Sequence, residues 1–168
     1  MDPRDRTNEH SIDLDVTAFE KVLAVLPLES YVTGETILRA GSITGRLLIL
    51  RSGAVVILKD CVEIARVEQP GAVFGELSAL LEQPHVADVR ALQHSQLYVA
   101  DSALLEKDPT ALLYVARILA QRLVFADSGL VELKKQLQAG QPPSALGKTI
   151  EKLQEVLKVG WDVGPWIA

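Results

Sequence analysis

The 168-residue sequence has one cysteine, one methionine, three histidines and an aromatic content of only 5%. A single cysteine, Cys61, rules out an internal disulfide and any metal site built from several thiolates. It fits a reducing, cytoplasmic setting, and its expected place is that of a small apolar strand residue. No pair among His10, His85 and His94, and none of them with Cys61, has metal-ligand spacing, so no metal is expected. Basic residues are outnumbered, 17 Lys and Arg against 22 Asp and Glu, for a net charge of −5. Binding a nucleic-acid backbone needs clustered Lys and Arg, so DNA is not an expected partner. No uninterrupted apolar run reaches the roughly 20 residues that span a bilayer, and the start "MDPRDRTNEHSIDLD" has no apolar stretch. A membrane or a signal peptide is therefore not expected. There is no Gly-x-Ser-x-Gly and no dinucleotide fingerprint. Gly147-Lys148-Thr149 has the end of a phosphate loop, but Pro142 stands where its opening glycine belongs. No acid pair stands out for proton transfer, and acids are mostly solvated surface residues. The expectation is a protein without catalytic residues, not an enzyme.

What is present is enough apolar material for a core: 48% hydrophobic against 23% charged residues. Residues 1–14 read as a flexible, solvated arm. In "DVTAFEKVLAVLP", Asp15 can cap a helix whose Phe19, Val22, Leu23 and Leu26 share one face before Pro27 stops it. From Tyr31 to Ala100 the apolar runs are short: "TILR", "LLILR", "AVVILK", "VEIARVE", "DVRAL" and "QLYVA", with glycines between them. Closely spaced short strands predict a mainly β fold with α, a double-sheet, jelly-roll-like β-barrel flanked by an N-terminal helix and C-terminal helices. Thr110 to Gln138 then holds no proline, and Leu112, Ala116, Leu119, Leu123, Ala126, Leu130, Leu133 and Leu137 step alternately by four and three. That is a heptad seam, either covering the barrel or pairing with a second copy. "AGQPPS" is a linker, and Leu146, Ile150, Leu153 and Leu157 mark a further short helix. The final "WDVGPWIA" exposes Trp161, Trp166 and Ile167 unless it docks on the body or on a partner. The domain expected is 15–138, with 139–168 as linker, short helix and apolar tail.

The stretch "PGAVFGELSALLEQPHVADVRAL" carries the most chemistry. A Gly-Glu step entering one helical turn, Gly75-Glu76-Leu77, presents backbone N–H groups that can cradle an anion. A carboxylate in that place is a strong acceptor for sugar hydroxyls, so a sugar phosphate would satisfy both features. The residues alone equally allow Glu76 to cap the turn and His85 to be a loop residue.

Residues 28–125 resemble a cyclic nucleotide-binding domain, of the kind found in catabolite-activator regulators, cyclic-nucleotide-gated channels and protein kinase A regulatory subunits. "TGETILRAGSITGRLLILRSGAVVIL" resembles the family's first strands, with Gly34-Glu35, Gly41 and Gly53 in place, and the stretch above resembles its phosphate-binding cassette. The resemblance implies ligand-binding roles for Gly75, Glu76, Leu77, Ser78, His85, Val86 and Ala87. Glu76 would take the ribose 2′-hydroxyl, and the backbone around Gly75 and Leu77 the phosphate. It also implies a base contact from the following helix, where Asp127 and Ser128 are candidates, although the residues themselves read more readily as solvated helix positions. The family's Pro-Arg-x-Ala-Thr run stands here as Pro84-His85-Val86-Ala87-Asp88. His85 replaces a permanent, forked cation by a ring that is mostly neutral at pH 7, and Asp88 adds a charge that would repel the ligand. Losing one charge-assisted contact costs about 1.5–3 kcal/mol, roughly 10- to 150-fold in affinity.

The reading expected is thus a stand-alone, non-enzymatic module without a helix-turn-helix domain, since 30 residues follow Gln138. It would bind cAMP or cGMP, need no cofactor, and signal through its C-terminal helices to a protein partner, with a homodimer through the long helix. The alternative is a degenerate fold that binds no nucleotide and serves protein interaction or dimerisation.

Overall fold

The structure, a computed structural model, describes residues 16–140 together with Gly147, Lys148 and Ile150. The expected arm, most of the expected last helix and the tryptophan tail lie outside the described residues.

Helix α1 (Val16–Ala24) precedes strands β1 (Leu28–Tyr31), β2 (Thr36–Leu38), β3 (Arg46–Ser52), β4 (Val55–Lys59), β5 (Val62–Val67) and β6 (Val73–Phe74). Short helix α2 (Glu76–Leu81) leads to β7 (Asp88–Ala91) and β8 (Ser95–Asp101), then to α3 (Ala103–Lys107) and the 30-residue α4 (Pro109–Gln138). The strands form two four-stranded antiparallel sheets, ordered β1-β8-β3-β6 and β2-β7-β4-β5. This is the expected double-sheet roll.

The run "LLIL" in β3 is apolar at every position because both of its faces are covered. Successive strand residues point to opposite faces. Leu48 and Leu50 enter the space between the sheets with Phe74, Leu97, Val55 and Val89. Leu47 and Ile49 face the other way, onto Phe19 and Leu23 of α1 and onto Tyr114, Val115 and Ile118 of α4. Each such side chain contributes about 1.5–3 kcal/mol on burial. The rings of Phe19 and Tyr114 stack at 3.7 Å between centroids, and the Tyr114 hydroxyl donates to the Gly71 carbonyl at 2.9 Å. Those contacts tie both helices to the sheet beside the cassette.

Helix α4 starts where Asp108 caps it, the carboxylate accepting from Thr110 N–H at 2.8 Å and Ala111 N–H at 3.2 Å, with Pro109 in the first turn. Its barrel-facing stripe is Ala111, Tyr114, Val115 and Ile118. The heptad seam lies one position round and is largely open: Leu112, Leu123, Leu130 and Leu137 are 42–65% exposed, while Leu119 packs at the edge of the core. Over 18 residues the mean hydropathy of α4 reaches 1.2, long and apolar enough by composition to cross a membrane. In this fold that apolarity serves two faces, one of them packed on the sheet.

Sequence patterning missed β1 and β6, because "LESY" has little apolar content and a two-residue strand has no period. Cys61 is a correction as well. It sits exposed in the two-residue β4–β5 turn, where both Asp60 (φ 51°) and Cys61 (φ 64°) are left-handed.

Candidate functional site

The cassette expected from the sequence is a continuous piece of backbone wrapped around one end of the roll. Strand β6 ends at Gly75, whose φ of 83° lets the chain turn directly into α2. A side chain at Gly75 would run into the Arg46 carbonyl of β3, so only glycine fits. The first helical bond is Ala79 N–H to the Gly75 carbonyl, at 3.0 Å. The N–H groups ahead of it, at Glu76, Leu77 and Ser78, have no carbonyl four residues back within the helix. Ser78 is buried and donates to the Gln83 carbonyl at 2.6 Å, which folds the chain back after α2. The backbone of His85 then pairs with the loop before β3, accepting from Gly41 N–H at 2.8 Å and donating to the Ser42 carbonyl at 2.9 Å.

These residues enclose a cavity of about 280 Å³, near the lower end of volumes usual for small-molecule sites. Its apolar wall comes from Leu38, Ile57, Ile64, Ala65, Phe74 and Val89. Gly75, Glu76, Leu77, Ser78, His85, Val86 and Ala87 all line it, so the structure brings the seven expected cassette residues together. Lys59, at the end of β4, and Arg122, from α4, complete the lining.

Arg122 is the main feature that sequence reading missed. Its Nη1 donates to Glu76 Oε1, and its Nη2 donates to the Val73 carbonyl at 2.9 Å. The two charged side chains are 16% and 6% exposed. Burial pulls the Arg122 guanidinium below its ordinary value, and the neighbouring Glu76 opposes that. A carboxylate has roughly four acceptor sites, so Glu76 can accept a ligand hydroxyl while Arg122 stays in place. A signal for this pair existed in the sequence. Stepping from Ala111 through Val115 and Ile118 by four and three reaches Arg122, which places a cation on the buried stripe. A buried cation requires an acid partner.

His85 is 5% exposed, and its Nε2 lies 2.7 Å from Thr44 Oγ1. Desolvation is the larger influence on the ring and lowers its pKa, while Glu76 acts in the opposite sense. Asp88 faces away from the cavity. One of its oxygens accepts from Ala40 N–H at 2.7 Å, the other from Arg90 at 3.0 Å, and the Ala40 bond leads in holding its carboxyl below the usual carboxylate range. Its charge is therefore spent on the chain just after β2 and on β7 rather than aimed at a ligand. Asp127 and Ser128 are exposed on α4 and do not line the cavity; Ser128 donates to the Val124 carbonyl of its own helix at 2.8 Å. Among the described residues, no group of His, Cys, Asp or Glu side chains has the arrangement of a metal site.

Comparison with known proteins agrees with this geometry. The model of the family described as "Cyclic nucleotide-binding domain" matches residues 28–107. A cAMP-dependent protein kinase regulatory subunit of Yarrowia lipolytica is 34% identical over 95 residues, 56% of this chain and 25% of that protein. The match thus spans about a quarter of the length of that relative. Among solved structures, the catabolite activator protein of Thermus thermophilus superposes with a TM-score of 0.61 at 23% identity, over 89% of this chain and 87% of that one. A cyclic nucleotide-binding domain from Methylobacillus flagellatus gives 0.55 at 22% identity, over 61% and 65%. The two structural likenesses concern the fold, and the sequence matches concern its central part. Over residues 28–107, the chain is similar to the cyclic nucleotide-binding domain family.

Proposed function

We propose that the protein is a non-enzymatic sensor that takes cAMP or cGMP into the cassette cavity and reports occupancy through α4. The observation that carries this reading is the Arg122–Glu76 pair. The acid that would accept the ribose hydroxyl is the same acid that anchors the long helix, so a ligand on Glu76 acts on α4 without any intermediary. The turn at Gly75, Glu76 and Leu77 opens into the same cavity and supplies donors for the cyclic phosphate. The base would lie against the apolar wall, with Asp127 and Ser128 reaching it only if α4 shifts. The exposed single thiol supports a cytoplasmic location. The test is calorimetric titration of cAMP and cGMP followed by hydrogen exchange at saturation. Binding with altered exchange in 110–138 is expected; binding without any change there sinks the signalling role.

The open seam supports a second part of the reading. Leu123, Leu130 and Leu137 are more than 60% exposed at heptad spacing, the surface a second copy would cover. Sedimentation should give a dimer at micromolar protein, and Leu123→Glu with Leu130→Glu should give a folded monomer whose thermal midpoint no longer depends on protein concentration. A wild-type monomer at concentrations far above micromolar removes this part.

One observation favours the competing reading of a fold that binds no nucleotide and serves protein contacts. The residue at the usual arginine position, His85, is buried and held away from protonation. Absence of heat with concentrated cyclic nucleotide would select it.

A further inference from the structure

Besides His85, the charged side chains lining the cavity are Glu76, Arg122 and Lys59. Glu76 of α2 and Arg122 of α4 neutralise each other. Lys59 stands at the exposed end of β4, and Asp88 is turned to Ala40 and Arg90. Among the described residues that line the cavity, no permanent buried cation is left to face an anionic phosphate, and a buried anion without a partner is costly.

His85 is placed to answer that need. Its ring lies against the turn that carries the open N–H groups: a β-carbon at Gly75 would meet ring Cε1 at 3.4 Å. Its Nε2 is fixed on Thr44 Oγ1 at 2.7 Å, and Thr44 Oγ1 also accepts from Arg46 N–H at 3.2 Å. A hydroxyl has one proton to give and two lone pairs. With a neutral ring, Thr44 can donate to Nε2. With a charged ring, Nε2–H donates to the remaining lone pair, and the bond to Arg46 is kept. Thr44 therefore suits both protonation states.

We propose that Thr44 positions His85 as a proton-linked phosphate contact: entry of a cyclic nucleotide draws one proton from solvent onto the ring, which then faces the phosphate as a cation. This rests on the nucleotide-binding reading above. In the free protein, burial keeps the ring neutral at pH 7. The bound phosphate raises its proton affinity. Binding then tightens as pH falls between the bound and the free pKa, by at most about tenfold per pH unit, and is flat outside that window.

The test is titration of cAMP into the full chain between pH 8 and pH 5.5, in buffers of different ionisation enthalpy, so that protons taken up are counted. Wild type should bind more tightly toward acid, with uptake approaching one proton at the steepest point. The His85 ring, followed by NMR, should titrate at higher pH in the complex than in the free protein. His85→Arg should bind at pH 8 with no proton uptake, and Thr44→Val should move the window to lower pH. Measurable wild-type binding with zero uptake overturns the proposal. So does binding by His85→Arg alone, which would leave the nucleotide-binding reading standing. If neither protein binds, that reading falls too.

Discussion

Arg122→Met should lower the unfolding free energy by about 3 kcal/mol or more, the usual result of removing one member of a buried ion pair. The loss comes less from the pair itself than from what is left behind. Glu76 is 4% exposed, and without Arg122 its carboxylate loses its ion-pair partner, while the Val73 carbonyl loses its donor. The double variant Glu76→Gln with Arg122→Met should recover most of the stability, because a neutral amide in the same place needs no counter-charge. Urea unfolding of the four proteins gives the coupling energy, and hydrogen exchange across 119–138 locates it. A single variant as stable as wild type would mean that α4 is held by Tyr114, Val115 and Ile118 alone, and that occupancy of Glu76 has no lever on the helix.

That lever was within reach of the sequence, yet the strong heptad pattern hid it. Two series run along α4, one position apart. Leu112, Ala116, Leu119 and Leu123 form the more apolar one, and reading by hydrophobicity chooses it. The structure puts Ala111, Val115, Ile118 and then Arg122 against the sheet. Burial followed the stripe with an ionic anchor; Leu112 and Leu123 are left exposed, and Leu119 packs at the edge of the core. Most of the strands were legible because short apolar runs and turn glycines are local. The cassette was legible because its roles depend on backbone shape and a few adjacent side chains. Contacts made across the chain were not: Thr44 and His85 are 41 positions apart, and Asp88 with Ala40 48. No local period encodes them. That is why Asp88 reads as a charge hostile to ligand in the sequence and is a strand tether in the fold.

Gly75→Ala should be the most damaging single-methyl change in the cassette, and comparison with Gly34→Ala separates its two causes. Both glycines have left-handed backbones, with φ of 83° and 85°. An alanine in that region costs about 1–2 kcal/mol at either site. At Gly34 the new methyl meets nothing within 4 Å, so that cost is the whole effect. At Gly75 the methyl meets the Arg46 carbonyl, which is backbone of a strand packed on both faces and cannot swing aside. Either β3 or the turn must shift, and the turn is the weaker, since β6 is two residues long. The expected loss is about 3 kcal/mol or more, beyond the conformational cost by the overpacking penalty. The shift would also carry the N–H groups of Glu76 and Leu77 away from the cavity and pull Glu76 from Arg122. Gly75→Ala should therefore lose cyclic nucleotide binding and protection of α4 together, whereas Gly34→Ala keeps both at reduced stability. Chemical denaturation of the two variants, with hydrogen exchange on each, decides it. Equal stabilities would mean that the turn absorbs a methyl without moving, and that its N–H groups are not held as rigidly as a phosphate cradle requires.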